Sequence, residues 1–417
     1  MIKALRGTYD ILPPESALWQ KVEQTAREFF AKYGYSEIRT PAFERTELFV
    51  RSIGEATDIV EKEMYTFQDR KGRSLTLRPE GTACVVRACL EHKLLAQQGA
   101  LQKLYYLGPM FRYERPQAGR QRQFYQIGVE LFGTYSPLAD VEVIVMMVRL
   151  FERLGLEGLS VNINSLGDKE SRKIFQENLR NFFEPELNNL CPDCRHRFEK
   201  NILRVLDCKN PDCKKIFSSP EMPTMKSSLT EEAKQHYETV LETLEKAGIS
   251  YKEDEKLVRG LDYYTHTIFE VTHSSLGAQD AVGGGGRYNN LVEDFGGPPT
   301  GAVGFAIGVE RLILALKDLG KDNGEEPVSV CFVSFDEKAL TENIVFAEKL
   351  RKAGISAVTA YQKQSVKAQM RQANNLDAKW VVMRGEQERA KNSVKIKNME
   401  TGKETIVSED KIENSIR

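Results

Sequence analysis

Two strand-like runs, KLYYLG at 103–108 and FYQIGVELFG at 124–133, flank a stretch that holds four arginines, Arg112, Arg115, Arg120 and Arg122, around a Pro/Gly turn. The segment reads as a strand, a mobile basic loop and a returning strand, which sets the pair antiparallel. Further strand-like runs at 63–68 (EMYTFQ), 74–78 (SLTLR), 267–272 (TIFEVT) and 302–307 (AVGFAI) extend this to a large, mainly antiparallel sheet with helices on it. Ahead of them, residues 16–33 place Leu18, Val22, Thr25, Phe29 and Phe30 on one helical face. Gly34-Tyr35 stops that helix, and Glu37 to Pro41 reads as a strand cut off by proline. The expected fold class is α+β over 1–320.

Two features interrupt this pattern. Residues 170–250 are helical and charged and hold four of the seven Cys, which suggests an inserted subdomain. Residues 321–327 (KDNGEEP) are polar, contain Gly and end in Pro, as a linker does. After the linker, strand VSVCFVSF (328–335), a helix at 337–353, strand SAVTAY (356–361), a helix at 365–376 and strand KWVVMR (379–384) predict a separate α/β domain over 328–417. From 327 onward there are 16 Lys plus Arg against 12 Asp plus Glu, a balance that suits an RNA contact and equally a solvated surface.

Composition narrows the class. A chain of 417 residues, 41% hydrophobic and 29% charged, without biased tracts, is a folded globular protein rather than a fibrous or disordered one. The most apolar stretch, Val141 to Leu150, contains Glu142 and Arg149 and is far shorter than the roughly 20 residues a bilayer needs, so no membrane partner is expected. Lys3 and Arg6 are followed by no apolar run, so the amino terminus fails as a secretory signal and a cytoplasmic location with reduced thiols is expected. The net charge of −1 leaves a nucleic-acid surface to be sought in local patches. Cys191 and Cys194, then Cys208 and Cys213, form two short-range pairs. They fit a tetrahedral structural zinc, though the second spacing is loose, and four reduced cysteines are the other reading.

Four motifs carry chemistry. Arginines at the end of a rigid strand, as at 112–122, offer planar forks to a phosphate, although such a run alone is more often a solvated hairpin. Val303 to Leu312 joins a small-residue strand to an amphipathic helix through glycines, with Arg311 in the first turn. Those glycines either admit a planar ligand or serve close helix-on-sheet packing. RGLDYYT at 259–265 and AVGGGGRY at 281–288 complete the set. Four consecutive glycines could cradle a phosphate, but without GK[ST] and its helix a P-loop is excluded, and close approach of the backbone to a substrate is the better reading.

Together these motifs resemble the histidyl-tRNA synthetases, a class II aminoacyl-tRNA synthetase family, over essentially the whole length. The strand ending at Pro41 after a long helix, FRYE at 111–114 and GVERL at 308–312 match the three class signatures in order. RGLDYYT and AVGGGGRY resemble the two histidine-specific signatures. The resemblance implies ATP-dependent ligation of histidine to its tRNA through a histidyl-adenylate, with Mg2+ on the phosphates. It assigns Arg112 and Arg259 to the α-phosphate as catalytic cations, and Glu114, Arg120 and Arg311, with Arg112, to ATP. Glu80, Gly81 and Thr82 are expected on the ammonium side of histidine, with Gln126 completing the pocket. Glu130 and Tyr264 are expected to grip the imidazole nitrogens, and Tyr263 and Tyr288 to line the ring. Arg115, Gln117 and Arg122 are expected at the tRNA acceptor end, 328–417 at the anticodon, and the element before Pro41 in a homodimer interface. None of the five His lies where catalysis is suggested, so catalysis should be positioning and electrostatics. The alternative is a non-catalytic, histidine-sensing regulatory subunit of an ATP phosphoribosyltransferase. That paralogue typically lacks the last domain and lets the ATP arginines drift.

Overall fold

A computed structural model describes the chain except residues 1, 55, 56, 97–99, 209, 256, 258, 275, 277–280, 322–327 and 417. All but the first residue of the expected linker therefore lies outside the described residues. Two compact units divide at Gly324/Glu325.

The first unit is built on an eight-stranded sheet in the order Ser36–Glu37, Gln102–Phe111, Gln123–Phe132, Ala302–Gly308, Ala281–Arg287, Thr265–His273, Leu159–Ser165 and Tyr251–Glu253. The outermost pair at each edge is parallel, and the six inner strands run antiparallel to one another. The runs at 63–68 and 74–78 do not join it. Ser74–Leu77 pairs with Phe43–Arg45 on one side and Thr66–Gln68 on the other in a separate three-stranded sheet, because strand periodicity reports a half-buried strand but not which sheet it enters. The glycine run, read as letting the backbone approach a substrate, is a strand near the middle of the large sheet.

The two faces of the sheet do different work. Tyr105, Ile127, Val129, Phe269, Phe305 and Ile307 point to one side and pack against helices Glu15–Lys32, Pro137–Leu154 and Val309–Asp318. On the first helix the buried stripe is Leu18, Trp19, Val22, Ala26 and Phe30, so Trp19 and Ala26 replace Thr25 and Phe29 of the expected face. The Pro137–Leu154 helix starts where Ser136 accepts a hydrogen bond from the Leu138 amide, has Pro at its first turn, and stops at Gly155 with φ +93°. Gly283 faces this helix, and a Cβ there would collide with Met147. This is the close-packing role of one glycine in the run.

The insert is narrower than its composition suggests. Phe175, Leu179, Phe183, Ile202 and Met225 belong to a core of their own, whereas Tyr237, Val240 and Leu244 of helix Glu231–Lys246 are buried in the main core. Charge on the solvent side of that helix hid its apolar stripe. In the second unit the sheet order is Ala357–Val358, Val330–Ser334, Trp380–Arg384, Ser393–Asn398 and Glu404–Ser408, the last two added antiparallel. Val330 and Phe332 face one core and Cys331 and Val333 another, which explains the unbroken apolar run VCFV.

One buried ion pair pins these layers together. Arg287 and Asp140 are both fully buried. Arg287 Nε donates to Asp140 Oδ1 at 2.9 Å, and its Nη groups reach Asp140 again, the carbonyls of Thr134 and Ser136, and Asn289 Oδ1. The other Asp140 oxygen is met by His236 Nε2 at 2.7 Å and Thr267 Oγ1 at 2.8 Å. Burial penalises the Asp140 charge, yet Arg287 and His236 hold its carboxyl below the usual range. Removing one partner strands the other charge in the core, so Arg287→Met should lower unfolding free energy by about 3–5 kcal/mol. Urea unfolding followed by circular dichroism measures this, and Asp140→Leu added to Arg287→Met should recover part of the loss.

Candidate active site

The opposite face of the sheet is the site. In antiparallel strands directly opposed residues share a face, so the register writes rows across the sheet. One row reads Glu270, Gly284, Ala306, Gly128, Tyr106. The next reads Ile268, Gly286, Gly304, Glu130, Leu104, and on the other side Gly308, Gln126 and Gly108 stand in line. Small residues occupy the middle of the first two rows and make a low floor covered by neighbouring side chains, the Tyr106 ring over Gly128 and the Glu130 carboxylate over Gly304. Gly284 is part of that floor, and a Cβ there would lie 2.9 Å from Arg259 Nη1. Gly284 thus lets the Arg259 guanidinium come close to the strand.

Over the floor, Arg112, Arg120, Arg259 and Arg311 converge with Glu114 and Glu270 around a cleft of about 320 Å³. Each is aimed by a local contact. Arg112 Nε donates to the Pro79 carbonyl at 2.8 Å, and its guanidinium lies 5.3 Å from the Phe124 ring. Arg259 Nη1 is 2.7 Å from Glu270 Oε1, and Arg311 Nη1 donates to the Ala281 carbonyl at 2.7 Å. Glu114 lies 3.7 Å from Arg112 and 3.4 Å from Arg120. Burial and the neighbouring Arg120 both work against the Arg311 charge. Cations crowded at a partly desolvated site against two carboxylates are suited to receive a polyanion. Glu270 is the member that sequence reasoning missed. Its signal was a lone acid inside the apolar strand TIFEVT.

Next to the cleft lies a buried cluster of polar side chains. Glu130 is buried, with Oε1 accepting from the Thr82 hydroxyl at 2.7 Å and Oε2 from the Tyr288 hydroxyl. A Cβ at Gly304 would strike this carboxylate. Glu80 accepts from the amides of Thr82 (2.6 Å) and Ala83 (2.8 Å), so its carboxylate caps helix Thr82–Glu91 while facing the cluster. Tyr263 packs on Tyr264 at 4.7 Å and on Tyr288 at 5.6 Å. Gly81 and Gly128 make room for the Tyr106 ring, which would overlap a Cβ at either. Two buried atoms here, Tyr106 Oη and Gln126 Oε1, have no hydrogen-bond partner among the described residues. Buried polar atoms are rarely left so, and a donor-bearing ligand satisfies an orphaned carbonyl. Tyr106 was not anticipated, since a tyrosine in KLYYLG looks like sheet filling.

The basic loop divides. Arg115 and Gln117 are exposed. Arg122 is held: its guanidinium lies 4.0 Å from the Tyr113 ring, and its amide donates to the Gly7 carbonyl at 2.7 Å. Arg6, Arg115 and Arg122 line a second groove of about 450 Å³. Glu310, beside Arg311, is buried and accepts from the Tyr125 amide through both oxygens, at 3.0 and 3.1 Å. Its role is to tie helix to sheet.

Burial pushes the Glu130 carboxyl up to about 8, against the hydrogen bonds from Tyr288 and Thr82, which favour its charge, while nearby Glu80 adds to the rise. In the unfolded chain this group titrates near the ordinary carboxylate value of 4.5, so between these limits the fold keeps a proton that the unfolded chain has released. The associated stability is complete below the lower value and is lost as pH rises through the upper one. Glu130→Gln lacks this titration. The unfolding free energy of the wild type minus that of the variant should fall steadily from about pH 5 to pH 8. Denaturant unfolding across that range checks it, and a flat difference would refute the assignment.

Comparison with known proteins is consistent with this arrangement. Residues 7–170 and 200–312 match the family model described as histidyl-tRNA synthetase, and 328–417 match an anticodon binding domain. A curated histidine–tRNA ligase of Natranaerobius thermophilus is 47% identical over 419 residues, covering 100% of this chain and 99% of its own length. The crystal structure of apo histidyl-tRNA synthetase from S. aureus superposes with a TM-score of 0.86 at 40% identity, covering 100% of both chains. A Bacillus halodurans structure described as an ATP phosphoribosyltransferase regulatory subunit/histidyl-tRNA synthetase has a TM-score of 0.65 at 23% identity over 89% of this chain and 96% of its own, a likeness of fold alone.

Proposed function

The chain belongs to the histidyl-tRNA synthetase family, and on that premise we propose that it is the enzyme that attaches histidine to histidine tRNA at the expense of ATP. The observation that carries the reading is the convergence of Arg112, Arg120, Arg259 and Arg311 on one cleft, beside a buried polar cluster with an orphaned acceptor at Gln126. Histidine's carboxylate oxygen attacks the α-phosphorus of ATP, and the bond to the bridging oxygen breaks with loss of pyrophosphate. The terminal ribose hydroxyl of the tRNA then attacks the histidyl carbonyl, and AMP departs.

Arg112 and Arg259 flank the α-phosphate, where negative charge builds in the first step. A fixed cation there favours the transition state over the ground state. Arg311 and Arg120 hold the outer phosphates, and Glu114 is placed for the adenine amino group. Mg2+ takes one or two carboxylates plus phosphate oxygens and water. With Glu114 taken by the adenine, Glu270 is the acid of the cleft that would serve as its ligand, sharing its carboxylate with Arg259. Bound there, the ion would neutralise charge on the departing pyrophosphate.

The amino acid's ammonium is met by Glu80, Thr82 and Gln126, and Tyr263 and Tyr288 line its ring, with Glu130 and Tyr264 on the two nitrogens. An apolar isostere would leave Glu130 unpaired in a dry pocket, and discrimination by unmade hydrogen bonds is large. Arg115, Gln117 and Arg122 lie toward the tRNA acceptor end, and 328–417 reads the anticodon. A homodimer is supported by Phe43 and Phe67, exposed rings 6.3 Å apart on the small sheet that follows Pro41. Among the described residues no helix is long and apolar enough to cross a membrane, and a cytoplasmic location is proposed. The regulatory-subunit alternative is disfavoured by the full set of arginines in the cleft and by the presence of 328–417.

Histidine-dependent exchange of pyrophosphate into ATP by the purified chain tests the whole reading, and no exchange would overturn it. Arg259→His should reduce exchange by about 10²–10³-fold with the fold intact by circular dichroism. Truncation after Gly320 should leave histidine activation measurable and cripple charging at low tRNA concentration, and undiminished charging would remove the anticodon role from the second unit.

A further inference from the structure

The insert contains two copies of a Pro-Asp-Cys run, Pro192-Asp193-Cys194 and Pro211-Asp212-Cys213, and in each the proline opens a short helix. The residue before the first proline is Cys191. Before the second it is Asn210, whose side chain accepts from the Asp212 amide at 2.9 Å, and Cys208 lies two residues further back. The fold brings these two turns together. The sulfurs of Cys191, Cys194, Cys208 and Cys213 all lie within 4.8 Å of one another, and Cys194, Cys208 and Cys213 are buried.

The Cys191 and Cys208 sulfurs are 3.8 Å apart. A disulfide requires about 2.05 Å. Four sulfurs placed about 2.3 Å from a central ion form a tetrahedron with edges of about 3.8 Å. The geometry matches the second arrangement. Two backbone amides also point at the sulfurs, Cys191 N at Cys213 Sγ (3.3 Å) and Asn210 N at Cys208 Sγ (3.4 Å). Such outer contacts orient ligands around a metal. The loose spacing of the second pair is thereby explained: the extra residues include Asn210, which turns the chain so that Cys208 and Cys213 meet.

We propose that Cys191, Cys194, Cys208 and Cys213 bind one Zn2+ ion as a closed, structural tetrathiolate site. Four protein ligands leave no open position for substrate, which sets the ion apart from the reaction. Its role is to hold an insert whose helices, of nine and seven residues, are too short to persist alone. Between the two cysteine pairs the turn Ile202–Asp207 presents Arg204, which bonds Asp262 at 2.8 Å in the segment that carries Arg259, Tyr263 and Tyr264. The ion therefore braces the surface against which that segment rests, a consequence that depends on the functional reading above.

Elemental analysis of the purified full chain should find one zinc per chain that survives gel filtration. A mercurial should release it into a colorimetric chelator, and the combined variant Cys194→Ser/Cys213→Ser should lose it. Cobalt substituted for zinc should give the intense visible bands of a tetrahedral thiolate site, a measurement that needs no variant to fold. Iron in place of zinc, a disulfide among these cysteines, or a chain that holds neither zinc nor cobalt would overturn the proposal. Pyrophosphate exchange measured on the same zinc-loaded preparation separates the two readings, since zinc without exchange would fail the function and leave the metal site standing.

Discussion

The buried pair of Arg287 and Asp140 is the constraint on which the rest of the first unit depends. Every N–H of the Arg287 guanidinium has an acceptor, and both Asp140 oxygens are shared among Arg287, His236 and Thr267. These partners come from two helices, two strands and the turn at 134–136, so one carboxylate fixes the register of elements far apart in sequence. A half-satisfied network of this kind costs more than an apolar core, whereas a complete one specifies a single arrangement. The site inherits that specification directly. Tyr288 follows Arg287 in the chain, points to the opposite side of the sheet and donates to Glu130.

From this anchor the site follows as a contrast between two faces of one sheet. Large apolar residues on the helix side supply the burial that holds the strands. Their neighbours in sequence are Gly, Ala, Glu, Gln and Tyr, which supply space and polarity on the other. The arginines enter from strand ends and loops at the rim, where long side chains reach over the floor without crossing it. On the proposed function the chemistry needs few proton carriers: fixed cations would answer developing charge on phosphate, and a buried, hydrogen-bonding cluster would sort the amino acid.

Much of this was legible in the sequence because it rested on local chemistry. The Arg112 to Arg122 loop, the GVER turn and the two signatures around Arg259 and Arg287 were found as motifs, and the fold places Arg112, Arg120, Arg259 and Arg311 around one cleft. Other features were hidden for identifiable reasons. Glu270 and Tyr106 matter through the residues opposite them in the sheet, and register is not written in one strand. The strands at 66–68 and 74–77 look like members of the large sheet because alternation is the same in any sheet. Helix Glu231–Lys246 was assigned to the insert by its charge, although its stripe of Tyr237, Val240 and Leu244 is buried with the main core.

The sequence by itself determined the kinds of element, the break near 324 and the residue types able to hold a polyanion, since periodicity, turn chemistry and side-chain charge act within a few residues. Only the tertiary structure decided which face each glycine serves. Gly283 meets Met147 of a helix while Gly284 meets Arg259 of the site, and one step along the strand separates them. It also decided that four sulfurs from two distant turns meet within 4.8 Å. The reason is the same in both cases: a strand's two sides and a loop's far neighbours are set by hydrogen-bond register and packing, which are properties of the assembled sheet and core.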